Sequence, residues 1–180
     1  MNAVELRKEV FAWFGTAVYY AQCVEVELII ARLFFARRGA SEPSDEEWQK
    51  IEGEKRTLGN LLQFLRKQIE VGQEEVEVLN QCLGDRNFIV HDYWYRRSSL
   101  LATPSGCEDV IAELQQMAER LKRGNAIAEA ISRRVRAQVG IDEASVRQVQ
   151  HEFITRLCEG ELEDAIIERQ AKYLQKLGPE

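Results

Sequence analysis

Proline occurs only three times in 180 residues, at Pro43, Pro104 and Pro179, so a helix that starts in this chain meets little to stop it. Between the prolines, apolar residues recur at three- and four-residue spacing. These features predict an all-α fold, an up-and-down helical bundle of four to five main helices with a C-terminal helical hairpin. The bundle is expected over residues 1–139, with residues 140–180 as a helical extension packed on it. At 45% hydrophobic and 30% charged, the chain has the composition of an ordinary soluble domain.

The first helix is predicted over Asn2 to Arg38. One stripe reads Phe11, Phe14, Val18, Ala21, Leu28, Phe35 and a second reads Trp13, Ala17, Tyr20, Val24, so the helix needs cover on two sides. It is either a central core helix or a core helix with one side given to a subunit interface. The apolar run Val10 to Val24 is not read as a signal peptide, because Glu5 and Glu9 sit among the early basic residues and the pattern continues past Glu25 and Glu27. It also falls short of the roughly 20 residues that span a bilayer, so the protein is expected in the cytoplasm with no membrane partner.

Ser44 with Glu47 reads as a capping box opening a second helix, which hesitates near Gly53 to Thr57 and resumes with Leu58, Leu61, Leu62, Leu65 and Ile69 before Gly72 ends it. A third helix follows from about Glu74 to Leu101, stopped by Thr103-Pro104. Ser105 with Glu108 reads as another capping box, starting a fourth helix that runs toward Val139. Two short helices, to about Glu159 and from Glu161 to Leu177, make the hairpin.

The net charge of −6 argues against nonspecific coating of nucleic acid. Arg120, Lys122, Arg123, Arg133, Arg134 and Arg136 nevertheless cluster late in the fourth helix, with Glu119 and Glu129 as the nearby acids. They form either a solvated face laced with salt bridges or a phosphate track. Cys23, Cys82, Cys107 and Cys158 contain no C-x-x-C pair, and the only histidines are His91 and His151. The cysteines read as small thiols in a reducing compartment; neither a metal site nor a cofactor is expected. His151 has no motif around it.

The third helix carries the least ordinary residues. Its stripe runs Val76, Leu79, Leu83, Val90, Tyr93, and Arg86 falls inside it. A buried cation needs a partner, so Arg86 is expected to face one, or a wet cleft, with Leu79, Leu83 and Val90 buried around it. His91 lies about 7.5 Å further along the axis and roughly 140° around. Asn87, one turn before His91, is placed to hydrogen-bond the ring and fix its tautomer.

Arg86-Asn87-x-x-x-His91 resembles the signature of the HEPN superfamily, compact all-α domains that include metal-independent ribonucleases of toxin and antiphage systems. Extended to Tyr93, it resembles the Arg-x4-His-x-Tyr form of HEPN toxins paired with nucleotidyltransferase antitoxins. The resemblance covers the motif helix closely and the first two-thirds of the chain in helix order only.

RNA cleavage without a metal needs a base for the ribose 2′-hydroxyl, stabilisation of charge at phosphorus, and an acid for the leaving 5′-oxygen. His91 can be base or acid, Arg86 can fork onto phosphate oxygens, and Asn87 can orient substrate or His91. One His cannot easily do both jobs, so a homodimer joining two motif helices is expected; the resemblance implies the same composite site. Tyr93 and Trp94 are candidates to stack a base, with Arg96 and Arg97 holding flanking phosphates of an RNA. All three aromatics, Tyr93, Trp94 and Tyr95, equally suit core or interface positions. Two alternatives stand beside the ribonuclease: a non-catalytic RNA-binding or protein-interaction module of the same fold, and a toxin half whose Tyr93, as the resemblance implies, is modified by a nucleotidyltransferase antitoxin.

Overall fold

A computed structural model of the chain describes residues 2–37, 58–148 and 151; the Ser44 capping box and most of the C-terminal hairpin lie outside them. The described residues form an all-α bundle with no strand among them. The chain divides into two compact units, Met1–Gly140 and Ile141–Glu180.

Helix α1 spans Ala3–Arg37. It starts where it does because the Asn2 side-chain oxygen accepts the Val4 and Glu5 N–H groups at 3.0 and 2.9 Å. Its buried seam is Leu6, Val10, Ala17, Ala21, Val24, Leu28 and Ala31, stepping by threes, fours and sevens. The opposing seam belongs to α5, Pro104–Gln138, through Cys107, Val110, Leu114, Met117, Leu121, Gly124, Ala128, Ile131 and Val135. Matching seven-residue seams let two long helices stay in contact at a shallow angle.

The two helices run in the same direction. Arg7 Nε donates to the Leu101 carbonyl at 3.2 Å just before α5 begins, Val24 lies beside Gly124, and the Arg136 guanidinium sits 5.8 Å from the Phe34 ring near both C-terminal ends. Thr103 caps α5, its hydroxyl accepting the Gly106 N–H at 3.1 Å with Pro104 in the first turn. The capping box expected at Ser105 with Glu108 is not the cap; Thr103 caps alone, its third helical residue being Gly106, which has no side chain to complete a box. Beyond the C-terminal end of α5, after its cap Val139, Gly140 has a φ of 78°, the left-handed conformation glycine supplies.

The remaining elements fill the groove beside this pair. Helix α2, Leu58–Arg66, buries Leu61, Leu62 and Leu65. Helix α3, Gln73–Asn87, begins at Gly72, whose N–H donates to the Glu75 carboxylate at 2.9 Å. The chain then widens into a π turn, Phe88–Asp92, returns to α-helix as α4, Tyr93–Arg97, and finishes in a 3-10 turn, Ser98–Ala102. What the sequence suggests is one continuous helix is thus four segments.

Helix α3 approaches α5 closely because residue 124 is glycine: a Cβ there would overlap the Cys82 sulfur. That approach draws Cys82 fully into the core and leaves Leu83 half-buried. Further along, Ile89 is buried and Val90 is 52% exposed, so the buried line runs through Val76, Leu79, Cys82, Ile89 and Tyr93. The expectation that Val90 lines the core is corrected to its neighbour Ile89, while Leu83 packs half-buried against the core beside the fully buried Cys82. The contact at Gly124, not the centre of the apolar stripe, sets which line faces inward.

The outer side of α1 stays apolar, with Val4, Phe11, Tyr19 and Val26 exposed. The stretch Ala3–Arg32 is long and apolar enough, by length and composition, to cross a membrane. The shorter reading, Val10 to Val24, stops at glutamates that do not end the apolar pattern. Of the second unit, residues 143–148 are helical, opened by Asp142, whose carboxylate accepts the Ser145 N–H at 3.0 Å.

Candidate functional site

Arg86 closes α3 and is half-buried. Its Nε lies 2.9 Å from the Glu25 carboxylate on α1, and its Nη1 donates to the Asn87 side-chain oxygen at 3.2 Å. The cation that interrupts the apolar stripe does have a partner, and the partner comes from the first helix. Sequence reasoning missed Glu25: it sits about sixty positions away with no local signal beyond being an acid on a largely apolar helix.

Asn87 and His91 are both exposed. Asn87 directs its oxygen to Arg86, and among the described residues no hydrogen bond or ion pair reaches the His91 ring. The expected Asn87–His91 bond is not made; Arg86, the nearer donor and a charged one, takes the acceptor. His91 lies inside the π turn, whose i→i+5 bonding puts one more residue into the turn than an α-helix would.

Tyr93 is 1% exposed. Its ring packs against Phe14, Phe88 and Trp94 at centroid distances of 5.8, 5.4 and 5.3 Å, and its hydroxyl donates to Glu113 of α5 at 3.3 Å. Burial, reinforced by the charge of Glu113, raises the phenol well above its ordinary value. Tyr93 is therefore a core residue here. It offers no face to a base, and its hydroxyl is reached by a modifying enzyme only if the core opens. Trp94 is half-buried against Phe11 and Phe14 at 5.4 and 4.8 Å, again packing. Phe14 of α1 packs against both rings.

Arg97 is drawn away from solvent. Its Nε and Nη2 both lie 2.8 Å from the two oxygens of Glu113, a bidentate pair, and the guanidinium rests 5.6 Å from the Phe88 ring centre. The bond from Arg97 holds the Glu113 carboxyl below its usual range, with the Tyr93 hydroxyl helping. A phosphate at Arg97 would have to displace this bidentate carboxylate. Arg96 is exposed, 6.0 Å from the same ring, and among the described residues no carboxylate meets it.

Three arginines of the basic cluster of α5 are likewise matched, by acids of α3 far off in sequence. Arg120 grips Asp85 with bonds of 2.8 and 2.9 Å, Arg123 meets Glu74 at 2.6 Å, and Arg134 meets Glu75 at 2.9 Å. Arg136 is buried, donating to Ser132 at 2.9 Å. For Arg120, Arg123 and Arg134 the salt-bridged face is the one observed, with partners other than Glu119 and Glu129, while Lys122 and Arg133 are exposed and meet no acid among the described residues. Among the described residues no three His, Cys, Asp or Glu side chains converge as a metal site would require.

The chain matches no family model, no curated protein and no solved structure.

Proposed function

We propose that this chain is a metal-independent endoribonuclease of HEPN type, a cytoplasmic toxin or antiphage effector that cuts RNA through attack by the substrate's own 2′-hydroxyl. One observation carries the reading: His91 stands exposed and unengaged in a π turn, one turn after the linked pair Arg86 and Asn87. Unusual helical turns of this kind collect at functional sites. The imidazole serves as proton acceptor or donor, and Arg86 stabilises charge on the phosphate oxygens. The second proton-transfer group comes from a second copy, docked through the exposed face of α1 that carries Val4, Phe11, Tyr19 and Val26.

A ribonuclease assay in EDTA, with wild type beside His91→Ala, tests this. The expected result is cleavage that leaves a 2′,3′-cyclic phosphate, spares 2′-deoxy substrates, and is lost in His91→Ala. Cleavage only with added divalent metal, or a His91→Ala variant as fast as wild type, would falsify it. The pairing of Arg86 with Glu25 favours a second reading, a non-catalytic RNA-binding or protein-interaction module in which that arginine is structural. Fully folded protein that binds RNA and never cuts it selects that reading.

A further inference from the structure

Tyr95 is 91% exposed, more than any other large apolar side chain described. Its neighbours Tyr93 and Trp94 are packed, yet among the described residues neither a ring nor a polar group meets Tyr95. A phenol standing in water contributes nothing to this fold and leaves both faces of its ring open to a flat partner.

Its place on the helix is specific. Asn87, His91 and Tyr95 follow at four-residue intervals and are all exposed. In a straight α-helix each such step rises about 6 Å and overshoots a full turn by about 40°, so three residues would drift apart around the axis. The π turn between Asn87 and Tyr95 adds a residue and takes that drift back. The three side chains therefore stand in one line, with Tyr95 one turn beyond His91.

We propose that Tyr95 is the base-stacking residue of this site, taking a nucleobase of single-stranded RNA next to the phosphate addressed by His91; the proposal rests on the RNA-cleaving reading above. A nucleobase suits the ring because it offers a flat face of matching size, and the surroundings suit its backbone. Arg96 follows Tyr95 directly, exposed and without a carboxylate, so a positive charge is available for the adjoining phosphate, whereas that of Arg97 is held by Glu113. Stacking on a single exposed ring accepts any base. The preference is for unpaired strands over duplex, with little choice of sequence, since duplex RNA keeps its base faces covered.

The test is fluorescence anisotropy with a labelled, fully 2′-O-methylated single strand, which cannot be cut, and with the corresponding duplex. The proteins compared are wild type, Tyr95→Ala, Tyr95→Phe, Tyr95→Trp and His91→Ala. Tyr95→Ala should weaken single-strand binding roughly fivefold to a hundredfold, while the Phe and Trp variants stay within about twofold of wild type. Thermal unfolding should be unchanged in Tyr95→Ala, since the ring packs on nothing. Equal single-strand binding by Tyr95→Ala overturns the proposal while leaving the ribonuclease reading intact. So does a Tyr95→Ala variant that shifts self-association in sedimentation and not RNA affinity, which makes the ring a protein contact. A His91→Ala variant that still cleaves, beside a Tyr95→Ala variant that binds poorly, supports the stacking role and removes the ribonuclease reading. Wild type that binds no RNA overturns both.

Discussion

Arg86 and Glu25 meet at 2.9 Å across the boundary of α3 and α1, their side chains 29% and 25% exposed. A phosphate approaching Arg86 must compete with a carboxylate already in place. Partly exposed pairs of this kind are worth about 1 kcal/mol or less, so the competition is mild. Glu25→Gln should therefore tighten RNA binding by up to about fivefold and steepen its salt dependence, measured by anisotropy at two salt concentrations. An unchanged affinity would show that Arg86 does not meet phosphate.

The contact between Gly124 and Cys82 makes a different prediction. Gly124→Ala forces a methyl group into the Cys82 sulfur and should cost about 1–3 kcal/mol in urea unfolding. In the double variant with Cys82→Ala the sulfur is gone, so the two losses should fall well short of additive. Simple additivity would mean that the helices do not touch there.

Cys82 should also be chemically quiet. Burial, helped by the nearby charge of Asp85, pushes its thiol up to about 11. Iodoacetamide at pH 8 is expected to leave Cys82 unmodified in the folded protein and to modify it in urea, read by mass spectrometry of the digested chain.

The group formed by Tyr93, Arg97 and Glu113 gives the fold a pH dependence of known sign. Glu113 has a depressed folded value, so its contribution is present above its unfolded value of about 4.3 and is lost as pH falls through the lower folded one. The aromatic near-UV signal of Tyr93 and Trp94 should weaken over that interval, and Glu113→Gln should flatten the response. Tyr93 acts at the opposite end. Its raised value means stability lost as pH climbs above about 10, where an unfolded tyrosine ionises and the buried one resists.

Neighbouring residues Ile89 and Val90 separate the two possible registers of the motif segment. Ile89→Ala should cost about 2–5 kcal/mol and Val90→Ala under about 0.5 kcal/mol, since only the first empties a core position. The reverse order would restore the straight-helix reading.

That register shows where sequence reasoning stops. The all-α class and the start of α1 near Asn2 were legible because helix periodicity and helix starts are local, but the second helix, expected to run to Gly72, ends at Arg66, and Gly72 instead opens α3. Arg86 was legible as a cation needing a partner, but Glu25 was not, because the pairing depends on which helices become neighbours. The same holds for Arg120, Arg123 and Arg134, whose acids lie on another helix. The π turn carries no composition of its own, so periodicity counted straight through it. The true start of α5 was readable: Thr103 before Pro104 is an N-cap followed by a proline suited to the first turn.

The parallel pairing of α1 with α5 has a consequence for how the protein is made. The seams that match each other stand about a hundred residues apart in the chain, as Val24 and Gly124 do. At roughly 5–20 residues per second of synthesis, the apolar side of α1 waits on the order of 5–20 s for its partner to leave the ribosome. During that interval the nascent chain presents a helix whose length and composition would suit a membrane. The apolar side of α1 is thus the part of the bundle left uncovered longest as the chain is translated.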